Sequence, residues 1–256
     1  MRRACPVCGV DRWQLLREVE TWRLVRCAEC ELVYLPEVPS AEAVETEFEW
    51  SRSFDRERAA REKRNGVFRR WTRMVNRLRP SRERRAFRRI RRLAPPGRML
   101  DVGCGDGRLD LEALGAGYDV IGVELSPIMA DKARKRIGAN RVRCGRLNDF
   151  QFPPGSFDLA VTVSYLEHEP DPGSIVAQIL ELLRPGGIFI NKVPNYASWL
   201  RGGLGWRWSG FRFPEHVQYF TPRTLGRLLK NAGFDRVRTS VNPLSDNFWC
   251  VCRRVE

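Results

Sequence analysis

Met99-Leu-Asp-Val-Gly-Cys-Gly-Asp-Gly-Arg108 is the stretch from which the rest of the chain can be read. Met99, Leu100 and Val102 have the apolar character of a buried strand end, Asp101 falls among them, and Gly103, Gly105 and Gly107 follow at alternate positions. Glycines there let the chain turn sharply and leave the backbone bare enough for a ligand to lie against it. A helix is expected just beyond, through Leu109, Leu111 and Leu114. Strand, loop and helix together frame a nucleotide-type site at the carboxyl edge of a parallel sheet. The spacing is Gly-x-Gly-x-Gly, whereas a dinucleotide pyrophosphate calls for Gly-x-Gly-x-x-Gly. A fixed carboxylate at Asp101 would also repel a diphosphate, but it would receive a cationic amino group through charge-assisted hydrogen bonds. The expected ligand is therefore a nucleoside that carries an amino acid.

These residues resemble motif I of the class I S-adenosylmethionine-dependent methyltransferases. Tyr118-Asp-Val-Ile-Gly-Val-Glu124 reads as the next strand, with an acid at its tip that can accept both ribose hydroxyls. Ser126 suits a helix N-cap and Pro127 the first helical position, which leaves Glu124 at a strand-to-helix edge about 20 residues after the glycine loop. Gly155-Ser-Phe-Asp-Leu-Ala-Val161 and Leu182-Leu-Arg-Pro-Gly-Gly-Ile188 resemble the later motifs of the same family. The resemblance runs from about Arg98 to Arg238. It implies an α/β fold with a Rossmann-like seven-stranded methyltransferase sheet, and transfer of a sulfonium methyl group. It further implies a cofactor site at Asp101, Gly103, Cys104, Gly105, Gly107, Glu124, Leu125, Leu147 and Asn148. One position departs from the family: Arg146 stands where many relatives carry an acid for the adenine amino group, so adenine recognition would rest on Leu147 and Asn148.

The amino terminus holds two Cys-x-x-Cys knuckles, Cys5-Pro-Val-Cys8 and Cys27-Ala-Glu-Cys30, separated by 18 residues. This spacing matches a four-thiolate structural zinc site, whose closed tetrahedral shell stabilises structure and does no chemistry. No signal peptide precedes the cysteines, so a reducing, cytoplasmic setting is expected. Cys104, Cys144, Cys250 and Cys252 lie in or beside expected strands, where small apolar burial accounts for them.

With 256 residues the chain can bury a substantial core, and no apolar run approaches the length of a membrane span. Three parts are expected: a zinc ribbon over 1–40, a basic helical connector over 41–93 and the methyltransferase domain over 94–256. The net charge of +14 is concentrated in residues 51–92, which hold 18 Lys or Arg against four Asp or Glu. Val67, Phe68, Trp71, Met74, Val75 and Leu78 recur at helical spacing. Pro80 stops that helix, and Ser81 caps a second one through Phe87, Ile90 and Leu93. The apolar stripe of these helices would cap the active site; RNA phosphates or an anionic membrane are the other surfaces it fits.

The chain has two histidines. His168, in Ser164-Tyr-Leu-Glu-His168, follows the fourth strand of the sheet domain, a place for capping or positioning. His216 lies in the aromatic and arginine-rich insert Trp206–His216, between the fifth strand and a helix that opens at Thr221-Pro222. His216 is the candidate general base for a hydroxyl that attacks a methyl group, or else it hydrogen-bonds a loop backbone. Trp199, Trp206 and Trp208 would stack on a flat substrate or anchor the loop, and Arg207 and Arg212 would bind an acidic group or face water. The whole pattern is similar to bacterial methyltransferases with an amino-terminal zinc ribbon that act in sugar, polysaccharide or secondary-metabolite pathways. A similar core occurs in quinone O-methyltransferases. The expected activity is methylation of a small molecule or sugar, most readily on oxygen. An RNA methyltransferase and a non-catalytic zinc-ribbon binding module are the alternatives.

Overall fold

The computed structural model describes residues 2–38, 81–242 and 245–255. The helix expected over Val67–Leu78 lies outside these residues. Three strands come first: β1 (Trp13–Val19), β2 (Trp22–Cys27) and β3 (Val33–Tyr34). Helix α1 (Arg82–Leu93) opens at Ser81, whose hydroxyl accepts from the Arg84 N–H, as the capping pattern predicts. One face of α1 buries Ala86, Phe87 and Ile90 against Met99, Tyr118, Leu159, Ile188 and Ile190, while most of its arginines face water. Burying Phe87 and Ile90 contributes roughly 1.5–3 kcal/mol each, and the Phe87 ring meets Tyr118 edge-on at 5.6 Å. The apolar stripe of this helix therefore lies on the sheet domain.

The large domain continues with β4 (Arg98–Val102), α2 (Arg108–Leu114), β5 (Asp119–Glu124), α3 (Pro127–Ile137) and β6 (Val142–Cys144). Next come β7 (Phe157–Val163), α4 (Pro172–Leu182), β8 (Leu183–Pro194) and α5 (Trp199–Leu204). The chain closes with β9 (Gln218–Tyr219), α6 (Pro222–Asn231), β10 (Phe234–Val241) and β11 (Asn247–Arg254). Seven strands form one sheet in the order β10-β11-β8-β7-β4-β5-β6. The five strands from β8 to β6 are parallel, and β11 and β10 add an antiparallel edge. The central strands are apolar along nearly their whole length because helices cover both faces: Met99, Leu100, Ala160 and Val161 are fully withdrawn from water. Crossovers between parallel strands bring the carboxyl ends of β4, β5, β6 and β7 to one edge. Ser126 and Thr221 cap α3 and α6, with Pro127 and Pro222 at the first helical positions, as the sequence predicts. Cys250 and Cys252 are buried on one face of β11.

The amino-terminal strands do not close a sheet by themselves. A second, four-stranded sheet runs β1-β2-β3-β9, and its last strand comes from the segment after β8. Val33 pairs with Tyr219 and Tyr34 with Gln218. Leu24, Val33, Leu35 and Val38 share a core with Tyr196, Trp208, Val217 and Tyr219. Arg3 reinforces the join: its guanidinium donates to the carbonyls of Leu35, Pro170 and Val217 and to Gln218 Oε1. Burial lowers the Arg3 pKa to about 10. Among the described residues no helix is long and apolar enough to cross a membrane.

Candidate active site

The glycine loop leaves β4 in left-handed turns, with φ of +79° at Gly103, +58° at Gly105 and +73° at Gly107. At two of these positions space excludes a side chain as well. A Cβ at Gly103 would stand 2.6 Å from Cδ2 of Tyr165, and one at Gly107 would stand 3.1 Å from the Ala133 backbone of α3. Gly107 caps α2, whose amino terminus points toward the loop. The amides of Gly103 and Cys104 both donate to the Val123 carbonyl, at 2.8 and 3.1 Å, and hold the loop against β5. Asp106 is fixed by ion pairs to Arg108 and Arg136, both at 3.0 Å.

Glu124 does more than end a strand. Its Oε2 accepts from the Gly105 N–H at 2.8 Å and its Oε1 from the Ser126 N–H at 2.9 Å, so the carboxylate pins the middle of the glycine loop. Burial raises its pKa, and these N–H donors oppose the rise. Each oxygen keeps a lone pair for a further hydroxyl, the capacity a ribose needs. Leu125 is half-buried beside it. After β6, whose Cys144 pairs with Glu124, Leu147 is fully buried and Asn148 is exposed at the same edge. The Leu147 carbonyl accepts from Gln178 Nε2 at 3.2 Å. The Arg146 N–H is bonded to Asp149 Oδ2, and its guanidinium lies within electrostatic reach of Tyr165.

Asp101 is only 2 % exposed. Beside it, Asp110 from the first turn of α2 is 0 % exposed, and sequence reasoning passed over this residue. Tyr165 was also missed as a site residue. Its ring lies over Gly103 and its hydroxyl donates to Glu169 Oε2 at 2.8 Å. A signal was present for Asp110: Gly122 in mid-strand marks a close approach, and the acid interrupts an apolar helix face.

The two histidines come together, with ring centroids 4.7 Å apart and planes at 84°. His216 Nδ1 lies 2.7 Å from the Gly210 carbonyl and His168 Nδ1 lies 3.0 Å from that of Glu215. A carbonyl only accepts, so both Nδ1 atoms carry hydrogens. Burial lowers the pKa of both, to about 4 for His168. His216 is 5 % exposed and is bonded to a loop carbonyl, the alternative to a role as general base. Glu167 lies beside the pair at 1 % exposure, and its carbonyl accepts from Val217 and Gln218. Burial raises Glu167 to about 7 while Lys192 and Arg212 act against the rise. Donor atoms of Glu167, His168 and His216 lie within 4.8 Å of one another, but Lys192 and Arg212 already supply positive charge there. Ser164, at φ +58°, places its Oγ 3.5 Å from Lys192 Nζ at this edge.

The expected aromatic platform is divided. Trp208 is buried and donates from Nε1 to Asp246 Oδ1 at 2.7 Å. Trp206 stacks on Phe211 under the guanidinium of Arg17, and Trp199 is 74 % exposed. At the amino terminus, Cys5 and Cys30 sulfurs are 3.4 Å apart and those of Cys8 and Cys27 are 3.5 Å apart. All four sulfurs lie within 4.8 Å of one another, and no disulfide joins them. Ligands about 2.3 Å from a tetrahedral zinc are about 3.8 Å apart, so the donor set fits such an ion.

A family profile described as a methyltransferase domain matches residues 67–239. A ubiquinone biosynthesis O-methyltransferase of Aromatoleum aromaticum is 32% identical over 162 residues, 58% of this chain and 69% of that protein. Its namesake in Thiobacillus denitrificans is 31% identical over 153 residues, 54% of this chain and 64% of that protein. Among solved structures, an S-adenosylmethionine-dependent methyltransferase from Thermotoga maritima, described as a possible histamine N-methyltransferase, covers 74% of the chain and 99% of its own. It superimposes with a TM-score of 0.56 at 22% identity, a likeness of fold. Profile, relatives and the geometry of the glycine-loop edge agree: the chain belongs to the class I S-adenosylmethionine-dependent methyltransferases.

Proposed function

We propose that this enzyme methylates a hydroxyl oxygen of a small acceptor, an aromatic ring carrying adjacent hydroxyls, and that its four amino-terminal cysteines hold a structural zinc ion. The acceptor class is supported by the relatives named for ubiquinone biosynthesis. The observation that carries the reading is the carboxyl edge itself, where the bare glycine loop lies between Glu124, Asp101 and the amino terminus of α2. S-adenosylmethionine brings an electrophilic methyl on a sulfonium centre. The residues of the chain do the rest by placement. Glu124 accepts the ribose hydroxyls, Asp101 balances the ammonium group, and the backbone at Leu147 and Asn148 borders the base. Holding donor and acceptor together removes the entropic cost of aligning nucleophile, carbon and sulfur. His168 and His216 serve as positioning residues that tie the insert to the end of β7. Zinc would act at a distance, because β3 pairs with β9 in the same insert.

Transfer of labelled methyl groups to a catechol-bearing quinone precursor tests the reading, with the full chain assayed before and after treatment with a strong zinc chelator. Methylation on oxygen, lost on chelation and regained with zinc, is the expected outcome. Label entering RNA and no phenolic acceptor would overturn the acceptor class. Activity that is indifferent to chelation, in protein shown to have lost its metal, would overturn the structural role of zinc.

A further inference from the structure

Asp101 and Asp110 form a buried pair of acids that no cation among the described residues balances, and the inference rests on the reading of this edge as the cofactor pocket. Asp101 reaches the pair from β4 and Asp110 from α2. Oδ1 of Asp101 and both carboxyl oxygens of Asp110 are shut off from solvent without a hydrogen-bond partner. Space for the second acid is provided by Gly122, the cross-strand partner of Asp101 in β5. A Cβ at Gly122 would stand 3.1 Å from Asp110 Oδ2 and 2.7 Å from Cys104 Sγ. The charged or titratable groups facing the pair among the described residues are Glu124 from β5 and the Cys104 thiol from the loop, neither of them a cation.

Two carboxylates cannot both stay ionised in such a place. At about 4 Å and an effective dielectric of about 20, their repulsion alone is about 4 kcal/mol, before the loss of hydration is counted. We propose that Asp110 is the protonated partner of Asp101: its carboxylic acid donates a hydrogen bond to the Asp101 carboxylate, so that the pair presents one negative charge to the ammonium group of the cofactor. Asp110 is thus a positioning residue that acts through Asp101. Burial pushes both acids upward, Asp101 to about 7 and Asp110 well above the carboxylate range.

The sign of the pH dependence follows. In the free protein Asp101 takes up a proton as the pH falls through about 7, whereas the complex needs it ionised. Binding below that pH therefore releases a proton. Affinity rises about tenfold per pH unit up to the Asp101 midpoint and then levels off.

Calorimetry with S-adenosylhomocysteine, in buffers of low and high ionisation enthalpy between pH 6 and 8.5, reads this directly. The wild type is expected to release close to one proton per ligand at pH 6 and almost none at 8.5. Asp110→Asn keeps a donor and removes the second acid, so it should restore both the affinity, to within about threefold, and the proton release. Asp110→Ala lacks the donor and should bind at least tenfold more weakly at pH 7. Wild-type binding without proton release would overturn the proposal, as would loss of the release in Asp110→Asn or full affinity in Asp110→Ala. If Asp110→Ala does not fold, the comparison of wild type with Asp110→Asn still decides. Failure of the wild type to bind at any pH is a separate result, which counts against the cofactor reading itself.

Discussion

Asp101, near the end of β4, and Glu167, four residues beyond β7, are both almost wholly withdrawn from water, at 2 % and 1 % exposure. Burial pushes each to about 7. Their surroundings are opposite. Glu167 lies among Lys192, Arg212 and two neutral imidazoles, with the insert bonded to its backbone. Asp101 has two more acids and a thiol around it. A buried acid that already has its cations holds parts of the fold together. One that lacks them among the described residues suits the role proposed for Asp101, a partner for the ammonium group of the cofactor. Burial alone does not tell the two apart, whereas the charges that face the acid do.

The comparison is broken most forcefully at Glu167. Its replacement by Ala removes the acid whose charge faces Lys192 and Arg212, and loss of a buried polar partner costs about 1–3 kcal/mol. Urea or thermal unfolding of Glu167→Ala should show that loss, with S-adenosylhomocysteine affinity in the remaining folded protein changed far less. An unchanged midpoint would mean that Glu167 balances nothing. Asp101→Asn should behave in the reverse manner. Stability is held or improves, because one uncompensated buried acid is gone, while ligand affinity falls about ten- to a hundredfold, the worth of a hydrogen bond to a charged group. A stability loss without an affinity loss would erase the distinction.

The smallest effect sharpens the comparison through pH. Glu167 has a folded pKa of about 7 against an ordinary value of 4.5, so the native state binds more protons in that interval and stability falls as pH rises through it. His168 has a folded pKa of about 4 against 6.5, so there the unfolded state binds more protons and stability rises with pH. The two trends oppose each other over roughly the same interval. Glu167→Gln removes the falling one, and its unfolding free energy should climb more steeply than that of the wild type between about pH 4.5 and 6.5. Parallel curves for the two proteins would show that the Glu167 pKa is not raised by folding.

The cofactor half was legible because its signals are local. Gly103, Gly105 and Gly107 need left-handed backbone, Ser126 and Pro127 start a helix, and Glu124 closes a short apolar strand, all within a single strand-loop-helix repeat. The four cysteines were legible for the same reason, since two tight knuckles bring the sulfurs near each other in pairs. The acceptor half was not. Whether His216 faces a substrate or a carbonyl depends on Gly210, Glu215 and His168, and whether Trp208 stacks or anchors depends on Asp246. Asp110 was passed over, and it turns inward where Gly122 leaves room on the neighbouring strand.

By itself the sequence determined the α/β layering, the place of the glycine loop and the grouping of the cysteines. These follow from residue types and spacings that constrain a few neighbouring dihedral angles. Only the tertiary structure decided that β3 takes β9 as its partner, and that one buried acid has cations beside it while the other has none among the described residues. Both outcomes depend on which distant side chains share the same water-free volume, and sequence spacing carries no record of that.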